Sequence, residues 1–429
     1  MVLSGWKGAG IMAERDEVLD GLFPDCEPAF MPSEYAGRLA RVRERMSGEG
    51  LDCLFISAPE STYYMAGYRS AFTQSGQSPK QWSATSGIAI HVDHDRPILF
   101  DTERETVMHR TYVDGCDVRC FPPGRTRDGT VFIASELASL GWLRGTLGLE
   151  YWSGRPNRAI SERFQGHLEN KGARVRDGSD VLREVRWLKS PAEMDCLREA
   201  GRIGCAGLRA AGEAIAPGSM EVAVLGGTLV AMGREGGEVP AVIPPVLSGR
   251  KTAGPHGLAT DRRINADEPV VVDLAGVLKR YHANLARTYW TGEPRAEDCH
   301  LAATAADSLQ VLRDMLRPGV SADMLANELC RFYDEAGIWG RRSWVGGYEM
   351  GIAFPPAWTG NYVFDPASEI GRDRVFEPGI ALNFENQFYL EGHRGLFFMV
   401  ETVLLDETGV YLLSQDLPHG IESAGLHGS

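Results

Sequence analysis

Asp273 ends an apolar run, Val270-Val271-Val272, and a carboxylate at the end of a buried strand is costly unless it has a partner or a task. Eleven positions later, inside LKRYHANLART, stands Asn284, preceded by Tyr281 and His282 and followed by Arg287. His256 sits upstream in SGRKTAGPHG, a loop rich in glycine and proline. An imidazole titrates near neutrality and suits proton transfer, although a histidine in such a loop is more often structural. Tyr281, His282 and Tyr348 offer hydrogen-bonding groups that are mostly uncharged at neutral pH, and Asn284 offers both a donor and an acceptor. Such a set reads a small polar ligand better than it holds a metal.

The elements that must position these residues follow from periodicity. Val270 to Asp273 reads as one strand, a turn is expected at Ala275 and Gly276, and Tyr281 to Tyr289 reads as the returning strand of a hairpin. Helices are expected over about 191–213, starting at Pro191, and over about 219–235. Leu301, Ala305, Leu309, Leu312 and Leu316 mark a third helix, ended by Pro318 and Gly319. A fourth opens at Ser321, with Leu325, Leu329 and Phe332 on one face. These four would cover one face of a curved sheet made by the hairpin and the strands near 380–412. Ahead of them, a helix over 33–49 capped by Ser33, strands at Cys53–Ser57, Gly87–Val92, Pro97–Phe100 and Thr146–Glu150, and helices near 104–112 and 157–170 suggest a smaller α/β domain.

The 429 residues are enough for two domains. The net charge of -14 argues against nucleic acid, which needs a basic face, and suits a cationic substrate. No apolar run reaches the roughly 20 residues of a membrane helix, and the N-terminus lacks the apolar region of a secretory signal. The eight cysteines are scattered; the closest pair, Cys116 and Cys120, has no second pair to make a zinc site, and reduced thiols in the cytoplasm are the plain reading.

Residues 245–292 resemble the hairpin of the pita-bread family (creatinase, aminopeptidase P, peptidase M24-like). REVRWLKSPAEM at 183–194 resembles that family's linker, and STYYMAGYRSAF at 61–72 a segment of its N-terminal domain. The resemblance implies an α+β fold: a tail over 1–30, a creatinase-type α/β domain over 31–185 and a pita-bread catalytic domain over 186–420, assembled as a homodimer. Metallopeptidases of the family hold two metal ions with two aspartates, a histidine and two glutamates. The first aspartate matches Asp273 and the glutamates match Glu385 in LNFENQF and Glu401 in MVETVLLDETG, but Asn284 and Tyr348 replace the second aspartate and the histidine. Losing a carboxylate and an imidazole removes charge and donors together, so no metal or other cofactor is expected, a single weakly held ion being the alternative.

Within the family, LKRYHANLART and YEMGIAFPPAW resemble ectoine hydrolase, apart from Met350, Phe354 and an aspartate where that enzyme has glutamate. The resemblance implies metal-independent hydrolysis of a C–N bond in a small cationic amidine-like substrate. Asp273, Glu385 and Glu401 would be catalytic carboxylates, His256 would shuttle the proton, and Tyr281, His282, Asn284 and Tyr348 would bind substrate. By the same analogy Arg69 and Phe72 reach a partner's pocket, the alternative being that Phe72 is a core aromatic and Arg69 a solvated charge. Three converging carboxylates repel one another, so a proton, Arg287, Lys279 or the substrate cation must offset them. Alternatively some of them merely salt-bridge Arg287 or Arg394. Two other functions stand beside this one: a metal-dependent Xaa-Pro aminopeptidase or prolidase, and a non-hydrolytic enzyme or binding module using the same pocket.

Overall fold

The computed structural model describes Gly21 and residues 26–70, 86–121, 128–366, 371 and 373–424. The chain divides into two compact units, Met1–Val185 and Arg186–Ser429. No helix among the described residues is long and apolar enough to cross a membrane.

The first unit runs α1 (Pro32–Gly48), β1 (Cys53–Ile56), α2 (Pro59–Ala66), β2 (Gly87–His91), β3 (Ile98–Thr102), α3 (Thr106–Tyr112), β4 (Asp117–Phe121), α4 (Gly129–Ser139), β5 (Thr146–Leu149), α5 (Arg158–Glu169), β6 (Arg174–Asp177) and α6 (Ser179–Trp187), whose last two residues belong to the second unit. Its sheet has the order β4-β3-β2-β1-β5-β6, with β1 antiparallel to β2 and parallel to β5. α1 starts at Pro32 after Met31, with no side-chain cap, so Ser33 lies inside the helix. Its buried Arg38 is held by Glu34 and the Tyr64 carbonyl, both at 2.8 Å, with the rings of Phe30 and Tyr64 each 4.4 Å away.

The second unit continues with α7 (Pro191–Ala214), α8 (Glu221–Arg234), β7 (Val246–Ser248), β8 (Pro269–Leu278), β9 (Tyr281–Thr291), α9 (Ala296–Met315), α10 (Ala322–Glu335), β10 (Arg342–Tyr348), β11 (Tyr362–Phe364), β12 (Ile380–Tyr389), β13 (Leu396–Asp406), β14 (Gly409–Leu412) and β15 (Ile421–Ala424). The sheet order is β11-β10-β12-β13-β9-β8-β7, with β14 beside β13 and β15 beside β9. α7 and α8 share a core with β8 and β9, while α9 and α10 share another with β10, β12 and β13. One sheet face is therefore helix-covered. α7 opens on a capping box between Ser190 and Glu193, with Pro191 in its first turn, where a missing N–H is harmless.

The hairpin turn is not at Ala275 and Gly276. Those residues lie inside β8, and the chain reverses at Lys279 and Arg280, whose φ values of 47° and 62° make the mirror-image turn that matches strand twist. The glycine answers to packing: a Cβ on Gly276 would fall 1.9 Å from the Ala200 carbonyl oxygen and 2.5 Å from the Gly204 nitrogen of α7. Sequence reading takes two small residues for a turn where the fold uses one of them for close helix–strand approach.

Candidate active site

Side chains alternate across a strand, so the ladder decides which residues meet. Asp273 pairs with Ala286 and Ala275 with Asn284 in the β8–β9 register, which puts Asp273, His282, Asn284 and Ala286 on the sheet face away from the helices. On β12 the core takes Leu382, Phe384 and Phe388, leaving Asn383, Glu385 and Gln387 on that same face away from the helices.

There the side chains form one network. Asn284 donates its amide to Asp273 Oδ1 at 2.7 Å and to the Leu274 carbonyl at 3.0 Å. Its own carbonyl oxygen accepts from Asn383 Nδ2 at 3.0 Å and from the Tyr348 hydroxyl at 3.3 Å. The Tyr348 hydroxyl also contacts Glu385 and accepts the Trp358 indole N–H at 3.1 Å. Asn383 donates to Glu385 Oε1 at 2.8 Å and accepts from the Tyr348 backbone at 2.8 Å, while Gln387 donates to Glu385 Oε2 at 3.0 Å. Each Glu385 oxygen thus has a side-chain donor and keeps capacity to accept another. Asp273 Oδ2 has no hydrogen bond among the described residues, and Asp273 is only half-buried, so this oxygen faces the open side of the site.

Burial and the facing Glu385 push the Asp273 carboxyl well above the usual carboxylate range, against the Asn284 amide that pulls it down. Burial carries Glu385 up to about 7, against the pull of Gln387, Tyr348 and Asn383. No cation figures among the forces on either acid. Lys189, the buried ammonium on the linker, is spent on Glu349 at 2.6 Å and the Trp187 carbonyl at 3.1 Å.

Three expected site residues are placed elsewhere or otherwise occupied. Glu401 does not join the other carboxylates: Glu385 pairs with Val400 and Phe384 with Glu401, so Glu401 points to the helix-covered face. It is fully buried there, accepting from the Ser414 backbone at 2.9 Å and from His419 at 2.8 Å, with Arg287 at 3.6 Å. These partners hold its carboxyl below the usual range despite the opposing effect of burial. Arg287 is consequently no counter-charge for Asp273, and Arg394 pairs with Asp267 at 3.1 Å. Tyr281 also faces the helices, donating to Glu193 Oε1 at 2.9 Å.

His282 is on the face away from the helices, but both ring nitrogens are taken. Nδ1 donates to the Arg280 carbonyl at 2.8 Å and Nε2 accepts the Ala241 N–H at 3.0 Å. Burial and the Arg280 charge lower its pKa to about 3, so it is a neutral spacer beside Trp358.

His256 is exposed in the turn after a short 3-10 segment that follows β7, and it makes no hydrogen bond to a described residue. In the first unit the Arg69 guanidinium lies 5.0 Å from the Tyr112 ring centre; Phe72 falls outside the described residues. Asn383, Gln387 and Trp358 are members of the site that sequence reasoning missed. The first two stand two positions either side of Glu385, and strand alternation was the signal that could have found them.

Residues 195–407 match metallopeptidase family M24, and residues 38–187 match the creatinase/prolidase N-terminal domain. The chain belongs to the pita-bread, M24-type family. Ectoine hydrolase of Halomonas elongata is 26% identical over 411 residues, covering 91% of this chain and 97% of that protein. Xaa-Pro dipeptidase of Pyrococcus furiosus is 26% identical over 299 residues, 69% of this chain and 77% of that protein. In fold the chain is similar to the X-Pro aminopeptidase of Thermotoga maritima, with a TM-score of 0.74 at 22% identity over 90% of this chain and 99% of that one.

The donor set does not fit the metal pair of the M24 metallopeptidases. The Asn284 amide offers N–H groups to Asp273 where a second carboxylate would be required, and Tyr348 is a phenol held well above its usual pKa by burial and by Glu385 and Asp273. Val400 occupies the level on β13 that faces Glu385. No three His, Cys, Asp or Glu side chains among the described residues form a group able to hold an ion.

Proposed function

We propose that this M24-family hydrolase cleaves a C–N bond in a small cationic amidine-like metabolite without a metal ion. The observation that carries the reading is the Asp273–Glu385 pair: two facing carboxyls with raised pKa values and no cation among the described residues to offset them. A planar amidinium or guanidinium supplies that missing charge and offers two N–H groups at once. Ectoine-like and creatine-like compounds are the reference chemistry, and the likeness to an ectoine hydrolase supports the choice.

Asp273 Oδ2, the open oxygen, steers a water to the amidine carbon and takes its proton. The water oxygen bonds to that carbon, one C–N bond breaks, and the departing nitrogen leaves as an amine with a proton delivered by His256. Glu385, fixed by Asn383, Gln387 and Tyr348, binds the remaining N–H. We also propose that the enzyme works as a homodimer. The free state of all eight cysteines suits a reducing compartment, and we place the enzyme in the cytoplasm.

The test is turnover of cyclic amidines, guanidines, lactams and Xaa-Pro dipeptides by chelator-treated and metal-supplemented protein. Amidine or guanidine hydrolysis indifferent to chelation is expected, with Asp273→Asn and His256→Gln each lowering kcat by about a hundredfold or more. Cleavage of Xaa-Pro dipeptides only after adding Mn²⁺ or Co²⁺ would establish the peptidase reading instead.

A further inference from the structure

The first unit assembles a second set of reactive groups. β3 and β4 run parallel with Asp101 directly opposite Cys120, so their side chains share a sheet face. The connection between these strands contains α3, whose His109 comes down onto both. His109 Nε2 lies 3.1 Å from Asp101 Oδ2, and its Nδ1 lies 3.9 Å from Cys120 Sγ.

The hydrogen bonds assign the imidazole tautomer. Asp101 is an acceptor on every side: Oδ2 also takes the Tyr68 hydroxyl, and Oδ1 takes the Ser86 hydroxyl at 2.6 Å and the Thr102 N–H at 2.7 Å. Nε2 of His109 must therefore donate to Asp101, and in the neutral imidazole this leaves Nδ1 as an acceptor towards the thiol. An acid orienting an imidazole against a thiol is the arrangement that activates cysteine nucleophiles, recognised by geometry and not by chain order. Asp101 and His109 are buried, whereas Cys120 is half-exposed on β4, an edge strand.

We infer that Cys120 is a nucleophilic thiol primed by His109 and Asp101, a modification site for soft electrophiles and peroxides that is separate from the hydrolase chemistry. With an alkylating agent the S–H proton passes to His109 Nδ1, an S–C bond forms and the carbon–halogen bond breaks, releasing halide. With hydrogen peroxide an S–O bond forms as the O–O bond breaks, and the departing hydroxide takes the His109 proton and leaves as water, giving a sulfenic acid.

The other thiols are internal references. Cys26 is exposed, but burial, Asp114 and Glu27 push its pKa up; Cys116 is buried and pushed up to about 12. The experiment is timed iodoacetamide labelling of the native full-length protein at pH 7, with peptide mass spectrometry following each cysteine. Cys120 is expected to react about tenfold faster than Cys26, and to trap a sulfenic-acid reagent after peroxide treatment. His109→Gln should bring its rate to that of Cys26 or below while leaving Cys26 unchanged. Labelling of wild-type Cys120 no faster than Cys26 overturns the inference, a result that needs no variant to fold. So does an undiminished rate in a folded His109→Gln protein.

Discussion

Glu385 stands opposite Val400 in the β12–β13 ladder, and the carboxylate next along, Glu401, therefore lies on the other side of the sheet. This one-residue offset separates two acids that the sequence places in neighbouring motifs. It also fixes what rebuilding a metal pair would take.

Asn284→Asp with Tyr348→His restores two donors but leaves Val400 facing the site. Adding Val400→Glu should tighten Mn²⁺ or Co²⁺ binding by at least about a hundredfold over the double variant, measured by calorimetry. Equal affinity of the double and triple variants would show that the Val400 level does not reach the ion.

Glu401 holds the fold together in this arrangement. Glu401→Gln leaves Arg287 buried without its anion and should cost about 3 kcal/mol of stability. A carboxyl with a lowered native pKa stabilises above its unfolded pKa and loses that contribution as pH falls through the native value. The melting-temperature gap between variant and wild type should therefore narrow in acid. Any surviving turnover should keep its wild-type pH profile.

Glu385 has the opposite sign. Its pKa rises from 4.5 to about 7, so the folded state prefers the protonated acid, and the preference is lost as pH climbs through 7. Wild type should lose on the order of 3 kcal/mol between pH 5 and pH 8 that Glu385→Gln does not lose. Melting temperatures of the two proteins across that range provide the check; a gap independent of pH would contradict the assignment.

Tyr281→Phe removes a buried hydroxyl that serves Glu193 on the helix side. We expect a loss of about 1 kcal/mol in stability, with KM and kcat unchanged. A rise in KM without loss of stability would return Tyr281 to the substrate pocket.

Much of this was legible in the sequence. The apolar stripes of α9 and α10, the helix start at Pro191 and the Val270–Asp273 strand have local signals, and the structure places each of them there. The failures come from long-range register. Tyr281 and Asn284 are an odd number of residues apart on one strand, which already sends them to opposite faces, whereas the level of Glu401 against Glu385 exists only once β12 and β13 pair. The Lys279–Arg280 turn escaped because neither residue is a usual left-handed former; Gly276, the residue that looked like a turn, serves α7 instead.

That contact with α7 also governs how much the reactive strand can move. Gly276 lies three residues from Asp273 on β8, and no atom can be added between it and the Ala200 carbonyl. A ligand that pulls on Asp273 therefore draws against the whole length of a helix anchored by its capping box. Under the proposed function, the position of Asp273 would be set before any substrate arrives, and adjustment to different substrates would fall to the loops.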